Sequence, residues 1–303
     1  MRSAPVRLFV VSVLAATLLV ATGCPPPTMS TAELVQQLSS AVLEPDVTCQ
    51  QLRDDLGLEG LPLADTPADI GIPYEEYWVT ASDGAVLRVW YMPVEAPNGV
   101  VIISAGNTGQ MPCYLFTARL LREGSYDVVM YDYEGFGGSS GEPSLPGLRP
   151  DLEAVTDWAR AFSGYPQFTL FGMSLGSIPS IAVAVDRPAD INGVILDSPI
   201  AMATEIERFS FLIDGQSDKL IAILEPWLIS EQTITQMQQP LLVYQHGQDV
   251  ITPPEAVQLL FDRAAGPKEI VRFPDLGHAR GQFLQTDEYQ AHLLAFLQRI
   301  WKP

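Results

Sequence analysis

Six short apolar runs recur along the chain: GVVIIS (99–104), DVVMYD (127–132), FTLFG (168–172), GVILDS (193–198), PLLVYQHG (240–247) and EIVRF (269–273). Runs of this kind, without polar alternation, are expected of strands buried on both faces, and such strands belong to a parallel sheet covered by helices. The intervening segments agree. Between the third and fourth runs Ile178, Ile181, Ala182 and Val185 fall on one helical stripe, and between the last two Val257, Leu260, Phe261 and Ala264 do the same. Ahead of the runs, EEYWVTASDGAVLRVWYMPV (75–94) alternates apolar and polar residues around Ser82-Asp83-Gly84, as an antiparallel hairpin at a sheet edge would. From Pro199 to Gln239 the alternation breaks into helix-like pieces, FSFLIDG and LIAILEPWLIS, which places a small cap insertion at about 199–239. The expected fold class is therefore α/β: a mostly parallel central sheet with helices on both faces, an antiparallel N-terminal hairpin and a small cap.

The amino terminus reads as an export signal. Arg2 and Arg7 precede an apolar run from Leu8 to Ala21, short of the ~20 residues a membrane span needs. The small residues before Cys24 resemble the lipobox of bacterial lipoproteins, which implies cleavage after residue 23, lipidation of Cys24 and a membrane anchor at the cell envelope. Ala21 stands where that motif usually has leucine, and Ala21 with Gly23 also suits ordinary cleavage and secretion; a retained helix is the third reading. Of the three cysteines, lipidation of Cys24 leaves Cys49 and Cys113 either as a disulfide or as two buried thiols. Residues 24–73, with the amphipathic stretch AELVQQLSSAVL and a proline- and acid-rich passage, read as tether and docking segment, and 74–303 as one α/β domain carrying the cap insertion. Without Arg2 and Arg7 the basic residues number 15 against 36 acidic, a net charge of −21. Such a surface repels phosphate backbones, so nucleic acid is excluded as a partner, and no C-x-x-C spacing points to a metal.

Two stretches, FGMSLGS and GFGGSSG, each contain Gly-x-Ser-x-Gly, centred on Ser174 and Ser139. Ser174 directly follows the third apolar run and precedes a helical stripe, the sharp strand-to-helix turn that exposes a nucleophilic hydroxyl. Ser139 comes several residues after its strand and runs into a proline-containing stretch. Ser174 is the candidate nucleophile. A serine needs a base to take its proton and a third group to orient that base. Of three histidines, His246 ends a strand in QHG and reads as a turn or core residue, and His292 lies in a terminal helical pattern. His278, in the loop FPDLGHARG after the last run, is the candidate base. Asp249, at the end of the preceding run, is the preferred acid; Asp197 in LDSPI is its rival, and Asp275 lies too near His278 in sequence.

From about Tyr77 to Ile300 the chain resembles an α/β-hydrolase with a small cap, of the branch similar to membrane-associated depalmitoylase-like and lysophospholipase-like esterases. The matching stretches are DYEGFGGSSGEPS, FGMSLGS, LLVYQHGQDVITPPEAVQLLF and KEIVRFPDLGHARG. The resemblance implies acyl transfer through Ser174, Asp249 and His278, in that order along the chain, with no cofactor and a small-molecule acyl substrate. It also implies an oxyanion hole from the backbone amides of Asn107 and Leu175, although Ala105 occupies the place where the family usually has a histidine. Phe209, Phe211, Leu212, Ile223, Leu224 and Trp227 either line an acyl pocket or pack the cap onto the sheet. Competing readings are a non-catalytic binding or structural module of the same fold, and a serine peptidase.

Overall fold

The computed structural model describes residues 30–43, 46–58, 63–107, 110–208, 210 and 217–301. The segment read as an export signal, Cys24, Phe209, Phe211 and Leu212 lie outside the described residues.

Eight strands form one sheet: β1 (Glu75–Thr80), β2 (Val86–Met92), β3 (Val100–Ser104), β4 (Asp127–Tyr131), β5 (Phe168–Met173), β6 (Ile191–Asp197), β7 (Leu241–His246) and β8 (Lys268–Phe273). Their order is β1-β2-β4-β3-β5-β6-β7-β8. β1 and β2 pair antiparallel through a turn in which the Asp83 carboxylate accepts the Ala85 N–H at 3.0 Å. β2 is antiparallel to β4, and every pairing from β4 to β8 is parallel. The six apolar runs are thus β3 to β8.

Every residue of β3, β4, β5 and β7 is buried, as continuous runs require. β8 departs from that expectation. It has only β7 beside it, and only Val271 and Phe273 are buried, with Glu269 and Ile270 half-buried and Lys268 and Arg272 exposed, because an edge strand is covered less completely. The helix Ser177–Asp186 buries Ile178, Ile181 and Ala182 as its stripe predicts, with Val185 half-buried. The helix Pro254–Arg263 likewise buries Val257 and Leu260. In the cap, Leu224 and Trp227 join the main core, so these two pack the insertion down onto the sheet domain.

Before β1, the helix Thr31–Val42 starts at a capping box in which Ser30 and Glu33 satisfy one another's backbone N–H. Ser39 in this helix accepts the Leu145 N–H at 3.0 Å, and Leu43 and Ile72 are buried in the core of the sheet domain. A disulfide joins Cys49, at the start of the helix Cys49–Asp55, to Cys113. The segment before the sheet is therefore fastened to the loops around β3 and β4. Because β3 to β8 run parallel, the turns that leave them, with Ala105, Asp132, Ser174, Ser198, Asp249 and His278, all emerge at one end of the sheet.

Candidate active site

Ser174 sits where β5 ends and a single 3₁₀ turn, Ser174–Gly176, leads into the helix Ser177–Asp186. Its φ is 48°, left-handed for a side chain with a Cβ, and such strain persists only where the surroundings over-determine it. The close approach that forces the turn is visible at Gly176. A Cβ there would lie 2.1 Å from Ser104 O, so only glycine lets the helix start press against the end of β3. Ser177 secures the elbow by donating its hydroxyl to Ser174 O at 2.6 Å while accepting the Ile200 N–H at 3.0 Å, which ties the elbow to the start of the cap.

Asp249 and His278 meet after β7 and β8, with Asp249 Oδ2 2.8 Å from His278 Nδ1. The carboxylate is further held by the N–H groups of Ile251 and Thr252, both 2.9 Å from Oδ1, and by the Thr252 hydroxyl, 2.8 Å from Oδ2. Burial pushes the Asp249 carboxyl up, but the charge and hydrogen bond of His278 and the donors of Thr252 outweigh it and hold the pKa at about 2. For His278 burial acts downward, and the opposing pull of Asp249, helped by Asp197 and Glu205, leaves its pKa above the usual histidine value. With Nδ1 turned to an ionised acid, Nε2 is the ring nitrogen that could accept a proton.

The His278 loop is drawn back over the sheet toward Ser174. Ala279 N donates to Ser198 Oγ at 3.1 Å, and the Gln282 amide lies 3.8 Å from the sulfur of Met173, the residue before Ser174. Among the described residues no hydrogen bond joins Ser174 Oγ to His278.

The turn after β3 is braced from several sides. Gly106 N donates to the Tyr114 hydroxyl at 2.8 Å, the Tyr133 hydroxyl donates to Ala105 O at 3.0 Å, and Met111 N donates to Asp132 Oδ1 at 2.8 Å. A Cβ built on Gly106 would be 2.7 Å from the Tyr114 hydroxyl and 3.6 Å from Ser174 Cβ, so this turn lies against Ser174. Leu175, on the other side, is the second residue of the 3₁₀ turn, where a backbone N–H has no partner within its helix.

The other candidates have different places. Ser139 spans two backbone groups, donating to Asp132 O at 2.7 Å and accepting the Arg88 N–H at 2.9 Å. Asp197 is fully buried and accepts from the Tyr289 hydroxyl at 2.7 Å, Asp275 is exposed, and His292 is exposed. The composition of the sequence gave no sign of Thr252 or Tyr114. For Thr252 a local signal exists, since an aspartate accepting N–H groups two and three residues on is an Asx turn, and D-V-I-T before a double proline has that layout. In the cap, Glu205 pairs with Arg208 at 3.0 Å, and Arg208 also donates to Val250 O and Ile251 O beside Asp249. Burial, only partly offset by Arg208, raises Glu205 to about 7.

A family model described as serine aminopeptidase, S33 matches residues 95–221, a stretch that contains Ser174. The Escherichia coli K12 protein YfhR is 32% identical over 235 residues, covering 74% of this chain and 80% of YfhR. The chain belongs to the α/β-hydrolase superfamily. Another superfamily relative is the α/β hydrolase domain-containing protein WAV2 of Arabidopsis thaliana, 27% identical over 252 residues, 77% of this chain and 82% of that protein. Among solved structures, the Pyrococcus furiosus esterase Pf2001 superposes with a TM-score of 0.65 at 20% identity, covering 80% of this chain and 96% of the esterase. Est1E of Butyrivibrio proteoclasticus, solved with ferulic acid bound, superposes with a TM-score of 0.62 at 20% identity, over 73% and 98% of the two chains. At those identities the structures speak for the α/β-hydrolase fold.

Proposed function

We propose that this α/β-hydrolase superfamily member is a serine hydrolase that cleaves an acyl ester or thioester through a covalent acyl-enzyme. The observation that carries the reading is the pairing of Asp249 with His278 at 2.8 Å on loops beside a serine held at positive φ at the end of β5. Ser174 Oγ attacks the acyl carbonyl as His278 Nε2 takes its proton. The amides of Asn107 and Leu175 stabilise the oxyanion, His278 returns the proton to the leaving group, and water then releases the acyl group by the reverse route. The residues themselves supply base, nucleophile and oxyanion donors, so the scheme needs no cofactor. The partner is a small acyl substrate of the kind handled by depalmitoylase-like or lysophospholipase-like esterases. A net charge of −19 argues against nucleic acid.

A peptidase is the second reading, favoured by the description of the matching family model. A series of 4-nitrophenyl esters of increasing chain length, run beside aminoacyl nitroanilides, separates the two. Ester turnover that disappears in Ser174→Ala supports the esterase reading, nitroanilide preference replaces it with the peptidase, and turnover surviving in Ser174→Ala overturns the assignment of the nucleophile.

The same proposal places the enzyme outside the cytoplasm on a lipid anchor at Cys24, with plain secretion as the alternative. Two acyl chains anchor stably where one binds only marginally. Wild-type protein in the membrane fraction and Cys24→Ala in the soluble fraction support the anchor; soluble wild-type protein removes it.

A further inference from the structure

Behind the proposed triad lies a second serine, histidine and aspartate, none of them accessible: Ser198 and Asp197 are 0% exposed and His246 1%. His246 Nε2 accepts the backbone N–H of Gly281 at 3.0 Å. A ring nitrogen that accepts carries no proton, so in the neutral ring the proton is on Nδ1. Nδ1 faces Ser198 Oγ at 3.0 Å, and Asp197 Oδ1, 3.7 Å away, favours the proton on that side. Ser198 Oγ in turn accepts the backbone N–H of Ala279 at 3.1 Å. The two backbone N–H groups that follow His278 at one and three residues' distance are therefore both held by side chains rooted at the ends of β6 and β7.

This arrangement has no room for chemistry of its own. Nε2, the atom a catalytic imidazole would use, is occupied by Gly281, and the ring stacks on Phe273 with centroids 5.5 Å apart. Its surroundings are nonetheless strained: Ser198 and Ala279 have φ of 50° and 51°, conformations that residues with a Cβ hold only where neighbours impose them. Asp249 at 2.8 Å and the Thr252 hydroxyl at 3.3 Å both meet Nδ1 of His278, but contacts at that one nitrogen leave the ring free to swing with its backbone. Holding residues 279 and 281 removes that freedom.

We propose that His246 and Ser198 are positioning residues that clamp the backbone after His278 and so set the distance of its imidazole from Ser174. The inference rests on the reading of Ser174, Asp249 and His278 as the catalytic set and adds the device that aims it. A protonated His246 would present an N–H to the Gly281 N–H and open the clamp. Burial lowers its pKa, with the charge of His278 acting in the same direction and Asp197 and Asp249 against, and this shift favours the neutral ring that the clamp requires.

The experiment uses the full chain and 4-nitrophenyl butyrate, with four variants: His246→Phe, which keeps the stacked ring; Ser198→Ala; His246→Gln, whose carbonyl can accept from Gly281; and Ser174→Ala as reference. Displacing a base by a fraction of an ångström to 1 Å costs about 10- to 100-fold. His246→Phe and Ser198→Ala are expected to lower kcat by that factor with KM unchanged, to slow fluorophosphonate labelling in parallel, and to keep the wild-type circular dichroism spectrum. His246→Gln is expected to recover most of kcat. Because the two residues act as one unit, a fifth protein combining His246→Phe with Ser198→Ala should be no worse than the poorer single variant. Folded His246→Phe and Ser198→Ala proteins that turn over like the wild type, beside an inert Ser174→Ala, overturn the clamp alone. A Ser174→Ala protein that still turns over overturns the triad and the clamp with it. If His246→Phe does not fold, Ser198→Ala and His246→Gln decide by the same criteria.

Discussion

The Tyr114 hydroxyl accepts the backbone N–H of Gly106 at 2.8 Å, one residue before the amide proposed to bind the oxyanion. Proteins that this chain resembles usually carry a histidine at the position of Ala105. Here the brace comes from the following turn, through a buried tyrosine. Tyr114→Phe keeps the packing and leaves the Gly106 N–H without that acceptor. We expect kcat on the best ester to fall about tenfold and unfolding free energy to fall by about 1–3 kcal/mol, the range for an unsatisfied buried donor. Ester kinetics and a urea melt measure both, and unchanged kcat would remove Tyr114 from the design.

The two Gly-x-Ser-x-Gly serines should part company in chemical labelling. Ser174→Ala is expected to abolish reaction with a fluorophosphonate probe. Ser139→Ala should label normally but lose about 1–3 kcal/mol of stability, since the hydroxyl it deletes links Asp132 O to Arg88 N. Equal labelling of the Ser174→Ala protein would sink the assignment.

That choice between serines was legible because it depends on neighbours in sequence: a buried strand before, a helical stripe after, glycines on either side. The strands were legible for the same reason, and EIVRF misled only in its burial, which depends on having one partner strand instead of two. Tyr114, Ser198 and His246 could not be assigned from the sequence. Each acts through a backbone N–H that folding alone brings near: Gly106 for Tyr114, Ala279 for Ser198, Gly281 for His246. A histidine ending a buried strand looks like core whether or not its Nε2 supports a loop.

The acid limb of the rate profile follows from the directions in which Asp249 and His278 are shifted. The base must be neutral to accept the serine proton, and its pKa lies above the ordinary histidine value, so kcat/KM should rise with pH to a half-maximum above 6.5. Asp249→Asn removes the charge that raises it, so the midpoint should move down while kcat falls about 10²–10⁴-fold. Stability carries the opposite sign. With its pKa depressed to about 2, Asp249 contributes stability that is present above its unfolded value and lost as pH falls toward 2. A wild-type midpoint below 6.5 would contradict the pairing.

The disulfide between Cys49 and Cys113 closes a loop with a sequence separation of 64 and ends one residue before Tyr114. A crosslink of that span restricts the unfolded chain and is expected to contribute about 2–4 kcal/mol. Cys49→Ser should therefore melt several degrees lower. It should also lower kcat modestly, because Cys113 and Tyr114 share the turn that carries the Gly106 brace. Thermal melts with and without reductant test the first expectation and ester kinetics the second. A melt insensitive to reductant would show that the bond does not form in solution.

The oxyanion assignment makes the sharpest demand on the backbone. Asn107 is proposed to act through its N–H and not its side chain, so Asn107→Ala should change turnover only a few-fold. Proline at 107 has no N–H to offer, and the residue before it is glycine, which tolerates the backbone that a following proline imposes. Asn107→Pro is therefore expected to fold and to lose about 10²–10³ in kcat, the range for deleting one oxyanion donor, with a much smaller change in KM because the donor acts mainly in the transition state. Steady-state kinetics beside circular dichroism separates this from simple unfolding. A folded proline variant with wild-type kcat would mean that the oxyanion is bound by Leu175 together with some group other than Asn107, and the contribution assigned to this turn would have to be withdrawn.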